Sequence, residues 1–120
     1  MKKLKQERTL TKEEKMWLTH VLKTYYSDDI WKYIKTKRIK QNDKSIKFFL
    51  NQMKNLRVYS ICDCKNCKED KSHTIDFKPN VEHKSTYIMS DVIKYKPNLS
   101  RNILISIEEE NGDILSMEII

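Results

Sequence analysis

Within twelve residues the chain sets Cys62, Cys64, Cys67 and His73, three thiols and an imidazole. That is the number and type of ligand a tetrahedral zinc ion takes. Cys62 and Cys64 stand two apart at the end of an apolar run, so on an extended backbone they point to one side. Cys67 can fold back from the loop, and His73 opens the segment that returns. A structural zinc is therefore one expectation for this stretch. The spacing differs from the paired Cys-x-x-Cys knuckle, however, and no glycine relieves the loop. The competing expectation makes Cys62 a small core residue and leaves Cys64 and Cys67 as loop thiols.

Other reactive side chains form weaker constellations. Lys65, Lys68, Lys71 and His73 could lower the pKa of a neighbouring thiol, but no acid that would orient the imidazole can be assigned. His20 lies beside the apolar stripe of a helix, as a boundary residue does, and His83 falls in a loop. Glu108, Glu109 and Glu110 approach a hairpin tip, where charges resist edge-to-edge aggregation, and they are the acidic candidates for contact with a partner. A glycine-rich phosphate loop is excluded in a chain whose single glycine is Gly112.

The stretch from Trp31 to Lys40 interleaves Lys32, Lys35, Lys37, Arg38 and Lys40 with Trp31 and Tyr33. Cations of this kind contact phosphates, and exposed aromatics stack on bases. The same aromatics are needed to bury a helix, and the core role is the stronger expectation. The net charge of +7 is uneven: residues 1–60 carry 16 Lys and Arg against 6 Asp and Glu, and residues 61–120 carry 8 against 11. A basic half attracts polyanions or an acidic protein. Lysine outnumbers arginine 20 to 4 and alanine is absent, which also fits a bias running through the whole composition.

The elements that must position these groups follow from periodicity. A chain of 120 residues makes one domain with one core. Residues 1–10 carry no apolar period and are expected to fray. Thr11-Lys12-Glu13-Glu14 is a capping box, and Trp17, Leu18, Val21, Leu22 and Tyr25 then mark one face of a helix. Ser27-Asp28-Asp29 offers a second N-cap for a helix fading near Lys40. A third helix is expected from Asp43 to about Asn55, with Ile46, Phe49, Leu50 and Met53 at helical spacing.

From Leu56 the period changes to two. Strands are expected over Arg57–Cys62, Ser72–Phe77, Thr86–Tyr95, Ile103–Glu109 and Asp113–Ile120. In the last hairpin, a three-residue loop with Gly112 in the left-handed conformation pairs Ile107 with Leu115, Ile105 with Met117 and Ile103 with Ile119. The expected fold is α+β: three N-terminal helices on one face of a mostly antiparallel sheet of about five strands, with 11–55 helical and 56–120 the sheet. Ile88, Val92, Leu104, Ile114 and Ile120 fall on the opposite face, where a partner could cover them.

Cys62-Asp63-Cys64, Cys67 and Thr74-Ile75-Asp76-Phe77, followed by Ile105-Ser106-Ile107, Gly112 and Leu115-Ser116-Met117-Glu118-Ile119, give the chain a resemblance to a group of small, largely uncharacterised bacterial proteins with a Cys-x-Cys-Gly-Cys-type hairpin loop. Lys65 stands where that group has glycine. Proteins of this size and character include immunity proteins. The expectation is a non-enzymatic, cytoplasmic interaction protein, an inhibitor or immunity protein binding a toxin or another protein, with no membrane segment. The alternative is a small basic nucleic-acid-binding regulator, with or without the structural zinc.

Overall fold

The computed structural model describes residues 2–35, 39–62 and 73–120. Eight elements of regular structure order the chain: strand β1 (Lys2–Thr9), helix α1 (Lys12–Tyr25), helix α2 (Ile46–Gln52), and strands β2 (Arg57–Ile61), β3 (His73–Asp76), β4 (Thr86–Lys96), β5 (Leu99–Glu108) and β6 (Ile114–Ile119). The strands form one six-stranded antiparallel sheet in the order β1-β2-β3-β6-β5-β4, with β1 and β4 at its edges. The class is α+β, but two α-helices replace the expected three and six strands the expected five.

The helices follow their caps. Thr11 accepts the Glu14 amide at 3.1 Å while Glu14 accepts the Thr11 amide at 2.8 Å, which closes the capping box and starts α1 where the sequence places it. Leu18, Val21 and Leu22 are fully buried. The expected second helix shrinks to a 3-10 turn, Asp28–Lys32, capped by Ser27. Ile30 and Ile34 alone give it too short a buried stripe to propagate. The Lys35 amide then bonds the Glu109 carbonyl at 2.7 Å instead of continuing a helix. The third helix starts at Ser45, whose hydroxyl accepts the Lys47 amide, and runs only from Ile46 to Gln52.

Residues 2–9, expected to fray, form β1 beside β2, with Arg8 opposite Val58 and an irregularity between Lys3 and Arg8. Hairpin β5–β6 keeps two of its three expected pairs, Ile105 with Met117 and Ile103 with Ile119. Ile107 faces Ile114 rather than Leu115, because a bulge falls at the start of β6. The bulge turns both Ile114 and Leu115 inward, so Ile114 leaves the outer face for the core. Gly112 has φ +73°, the left-handed conformation expected of it. β5 begins at Leu99, four residues before the strand expected from Ile103, since Pro97-Asn98 is itself a tight turn between Lys96 and Leu99.

The core lies between α1, α2 and the inner face of the sheet, where Phe49, Ile75, Ile103, Ile105, Ile107, Met117 and Ile119 are fully buried. Each such side chain contributes roughly 1.5–3 kcal/mol of burial, so a one-residue slip in β5 or β6 would forfeit several times that. Trp31 stacks on Phe49 at 5.3 Å and donates its indole N–H to Tyr26, the core role expected of it.

Candidate functional site

The cysteine loop is divided by the sheet. The Cys62 amide bonds the Thr74 carbonyl, and Ile61 pairs with Ile75, so Cys62 shares the outer face with Thr74 and Asp76. His73 lies on the inner face with Ile75, and its Nε2 sits 2.6 Å from Glu14 Oε2. The described residues therefore place the first and last of the four proposed ligands on opposite faces. Cys64 and Cys67 lie outside the described residues. Among the described residues no three His, Cys, Asp or Glu side chains gather as a metal site requires.

Glu14 was legible as a cap and not as a hub. Its carboxylate, 1% exposed, accepts two hydrogen bonds from the Arg8 guanidinium at 2.8 and 3.0 Å, besides the Thr11 amide and its contact with His73. Burial, the largest single influence, opposes ionisation. The bonds from Arg8, His73 and Thr11, with the Arg8 charge, outweigh it and hold the carboxyl well below the usual range. Arg8 is correspondingly raised, chiefly by its hydrogen bonds to Glu14. A signal did exist: Glu14 stands at i−4 and i−7 from the buried Leu18 and Val21, on the apolar stripe itself. The His73 ring continues into an aromatic row, edge-on to Trp17 at 6.4 Å, with Trp17 against Tyr95 at 5.4 Å.

The acidic candidates differ in burial. Glu108, expected to be solvated, is 6% exposed; it accepts from Lys84 and Asn111, and its amide bonds Asp113. Glu109 is half-buried, held through its backbone by Ser85 and Lys35, and Glu110 is exposed. Of the basic set, Lys32 pairs with Asp29 at 3.4 Å, Lys35 and Lys40 are exposed, and Lys37 and Arg38 lie outside the described residues.

A different surface collects the unburied apolar side chains. Ile88 and Val92 on edge strand β4 are 50% and 60% exposed, and Tyr33, also exposed, stacks on Tyr87 of the same strand at 5.3 Å. Exposed Tyr25 donates to Asp91 of β4 at 3.1 Å, and Met16 lines a groove of about 280 Å3 with Trp17, His20, Val92, Ile93 and Lys94. Leu99 pairs with Lys96, and Ile120 bonds Asn102, the neighbour of Val92. All seven exposed large hydrophobics among the described residues thus surround one open edge.

Asp91 is the polar group at its centre. Its Oδ1 accepts the Val92 amide at 2.7 Å and the Tyr25 hydroxyl, and its Oδ2 lies 3.0 Å from His20 Nε2. The Val92 amide, foremost, with Tyr25 and His20, holds the Asp91 carboxyl below its ordinary value against a smaller effect of burial. Fold and surface together define a small α+β protein with an open-edged antiparallel sheet. Comparison with protein-family models, curated proteins and solved structures finds no match to this chain. Among the described residues no helix is long and apolar enough to cross a membrane.

Proposed function

We propose that this chain is a non-enzymatic interaction protein of the inhibitor or immunity kind, which holds a protein partner against the open β4 edge of its sheet. The observation that carries this reading is the gathering of every exposed large hydrophobic among the described residues around that strand. Exposed apolar side chains scattered singly are ordinary; a set gathered along one strand with unpaired backbone has a docking surface's character. The contact is assigned to β4 rather than to the acidic tip, because Glu108 is committed to the fold through Lys84 and Asn111. The partner in this reading is a toxin or another protein.

A photo-crosslinking amino acid in place of Ile88 or Val92, with Lys47 on the exposed side of α2 as control, tests it in cells producing the protein. The expected result is one protein adduct at 88 and 92, lost when Val92→Asp is combined with the probe at 88, and absent at 47. Adducts of nucleic acid at positions 32, 35 and 40, with none at 88 or 92, would replace this reading by the basic regulator.

A further inference from the structure

The register of β4 fixes which backbone groups its edge offers. The Glu109 amide bonds the Ser85 carbonyl at 3.0 Å, and Asn102 exchanges both of its backbone bonds with Ile120, the residue after β6. Both facts set one phase. Tyr87, Met89, Asp91 and Ile93 bond β5, and Thr86, Ile88, Ser90, Val92 and Lys94 turn their amides and carbonyls outward. The outward amide of Val92 is met by Asp91. A ladder of donors and acceptors thus stands on either side of that point.

The walls beside this ladder have a composition of their own. The groove between α1 and the edge has Met16, Trp17 and Ile93 for apolar lining. Exposed Lys94 lines this groove, with exposed Lys96 two residues further along β4, and exposed Lys12 and Lys15 of α1 line an adjoining groove that shares Met16 and His20 with it. Of the acids nearby, Asp91 is occupied by Val92, Tyr25 and His20, and exposed Glu13 lies between Lys12 and Lys15 in the sequence of α1. Unpaired strand backbone beside an apolar groove takes an extended chain, and a cationic rim selects one carrying carboxylates.

The geometry points to an extended, acidic segment of the partner protein as the occupant, added as a seventh strand on β4 with its apolar side chains beside Ile88 and Val92 on the outer face and its carboxylates on the α1 side, toward Lys12 and Lys15. This rests on the protein-partner reading above and names the partner's chemistry. A second copy of the chain fits less well, since each copy would bring its own Lys94 and Lys96 to an edge already rimmed by cations, on a chain of net charge +7. Nucleic acid supplies charge but no alternating amides to continue a sheet.

The probe is an acetylated ten-residue peptide alternating Glu and Val, titrated against the intact protein by fluorescence anisotropy, with amide exchange followed by NMR. Binding is expected, with new protection at the Ile88, Ser90 and Lys94 amides. Methylating alternate peptide nitrogens, or combining Lys12→Glu with Lys15→Glu, should each weaken it about tenfold or more. Both lysines are exposed in the first turns of α1, where glutamate suits the dipole, so this variant keeps its fold. No binding, equal binding of a Lys-Val peptide, or indifference to methylation overturns the inference. So does a concentration-dependent dimer protecting the same amides, which would make the occupant a second copy. Crosslinks at 88 and 92 to a protein, with any of these negatives, would leave the docking surface standing and remove only the acidic strand.

Discussion

Glu14 does at residue scale what a cap, an ion pair and a core contact do separately elsewhere. Gln at the same position keeps the capping geometry, since an amide oxygen also accepts the Thr11 amide, but gives up the charge that Arg8 and His73 face. Glu14→Gln should therefore cost about 2–3 kcal/mol in chemical denaturation, within the range for unpairing a nearly buried carboxylate and allowing for the partial exposure of Arg8. The pH dependence has a definite sign. A carboxyl held below its unfolded value stabilises the fold fully above about pH 4.5. That contribution drains away as pH falls toward the depressed folded value, so the melting temperature of the parent should drop steeply below pH 4.5 and that of Glu14→Gln less so. Asp76 works in the opposite direction: burial, with the Glu82 charge adding to it, raises its pKa against the bond from Ser60. Its ionisation costs stability as pH rises, so Asp76→Asn should raise the melting temperature at pH 7 relative to pH 3.

Elements in this chain are decided by what covers them, and one residue of contact can be enough. Gly112 sits where a Cβ would stand 2.7 Å from Phe48, and the Gln52 side chain grips the turn by donating to the Gly112 carbonyl at 2.8 Å and accepting the Ile114 amide at 2.9 Å. Gly112→Ala combines left-handed strain with a push on α2, a cost of about 1–3 kcal/mol, and the Phe48 ring resonances should shift with it. Here the sequence was informative: the single glycine, the alternating isoleucines and the capping box of α1 each act through neighbours within a few positions. It was misleading where the decisive partner is distant. Ser27-Asp28-Asp29 caps a turn that does not propagate, because the Lys35 amide finds Glu109 across the fold. The register slips by one at Ile107 because the core accepts Ile114 and Leu115 together. Residues 2–9 hold one leucine and no period, so nothing local announces a strand. The docking surface is half legible: alternation puts Ile88, Val92, Leu104, Ile114 and Ile120 on the outer face, of which Ile114 turns inward, but it cannot reveal that β4 ends up at an edge.

At the scale of the molecule the two edges of the sheet are treated differently. The β1 strand is polar, short of apolar side chains and irregular in its pairing, features that discourage a further strand from joining it. It nevertheless covers β2, where Val58 is fully buried, and brings Arg8 to Glu14. The β4 strand at the other end is eleven residues long, and its outer side carries exposed Ile88 and Val92 among Thr86, Ser90, Lys94 and Lys96. A chain beginning at Leu10 would lose the protecting strand and the Glu14 ion pair together, leaving β2 as a second open edge. Its stability should fall by about 3 kcal/mol or more, the ion-pair loss alone accounting for most of this, and it should aggregate on warming while Arg8→Ala in the full chain only unfolds earlier. The crosslink at Ile88, five strands away, should persist in the shortened chain at temperatures below its transition. If the crosslink vanished while the far-ultraviolet spectrum stayed native, the two edges would be coupled through the sheet, and β1 would belong to the docking machinery rather than to the fold alone.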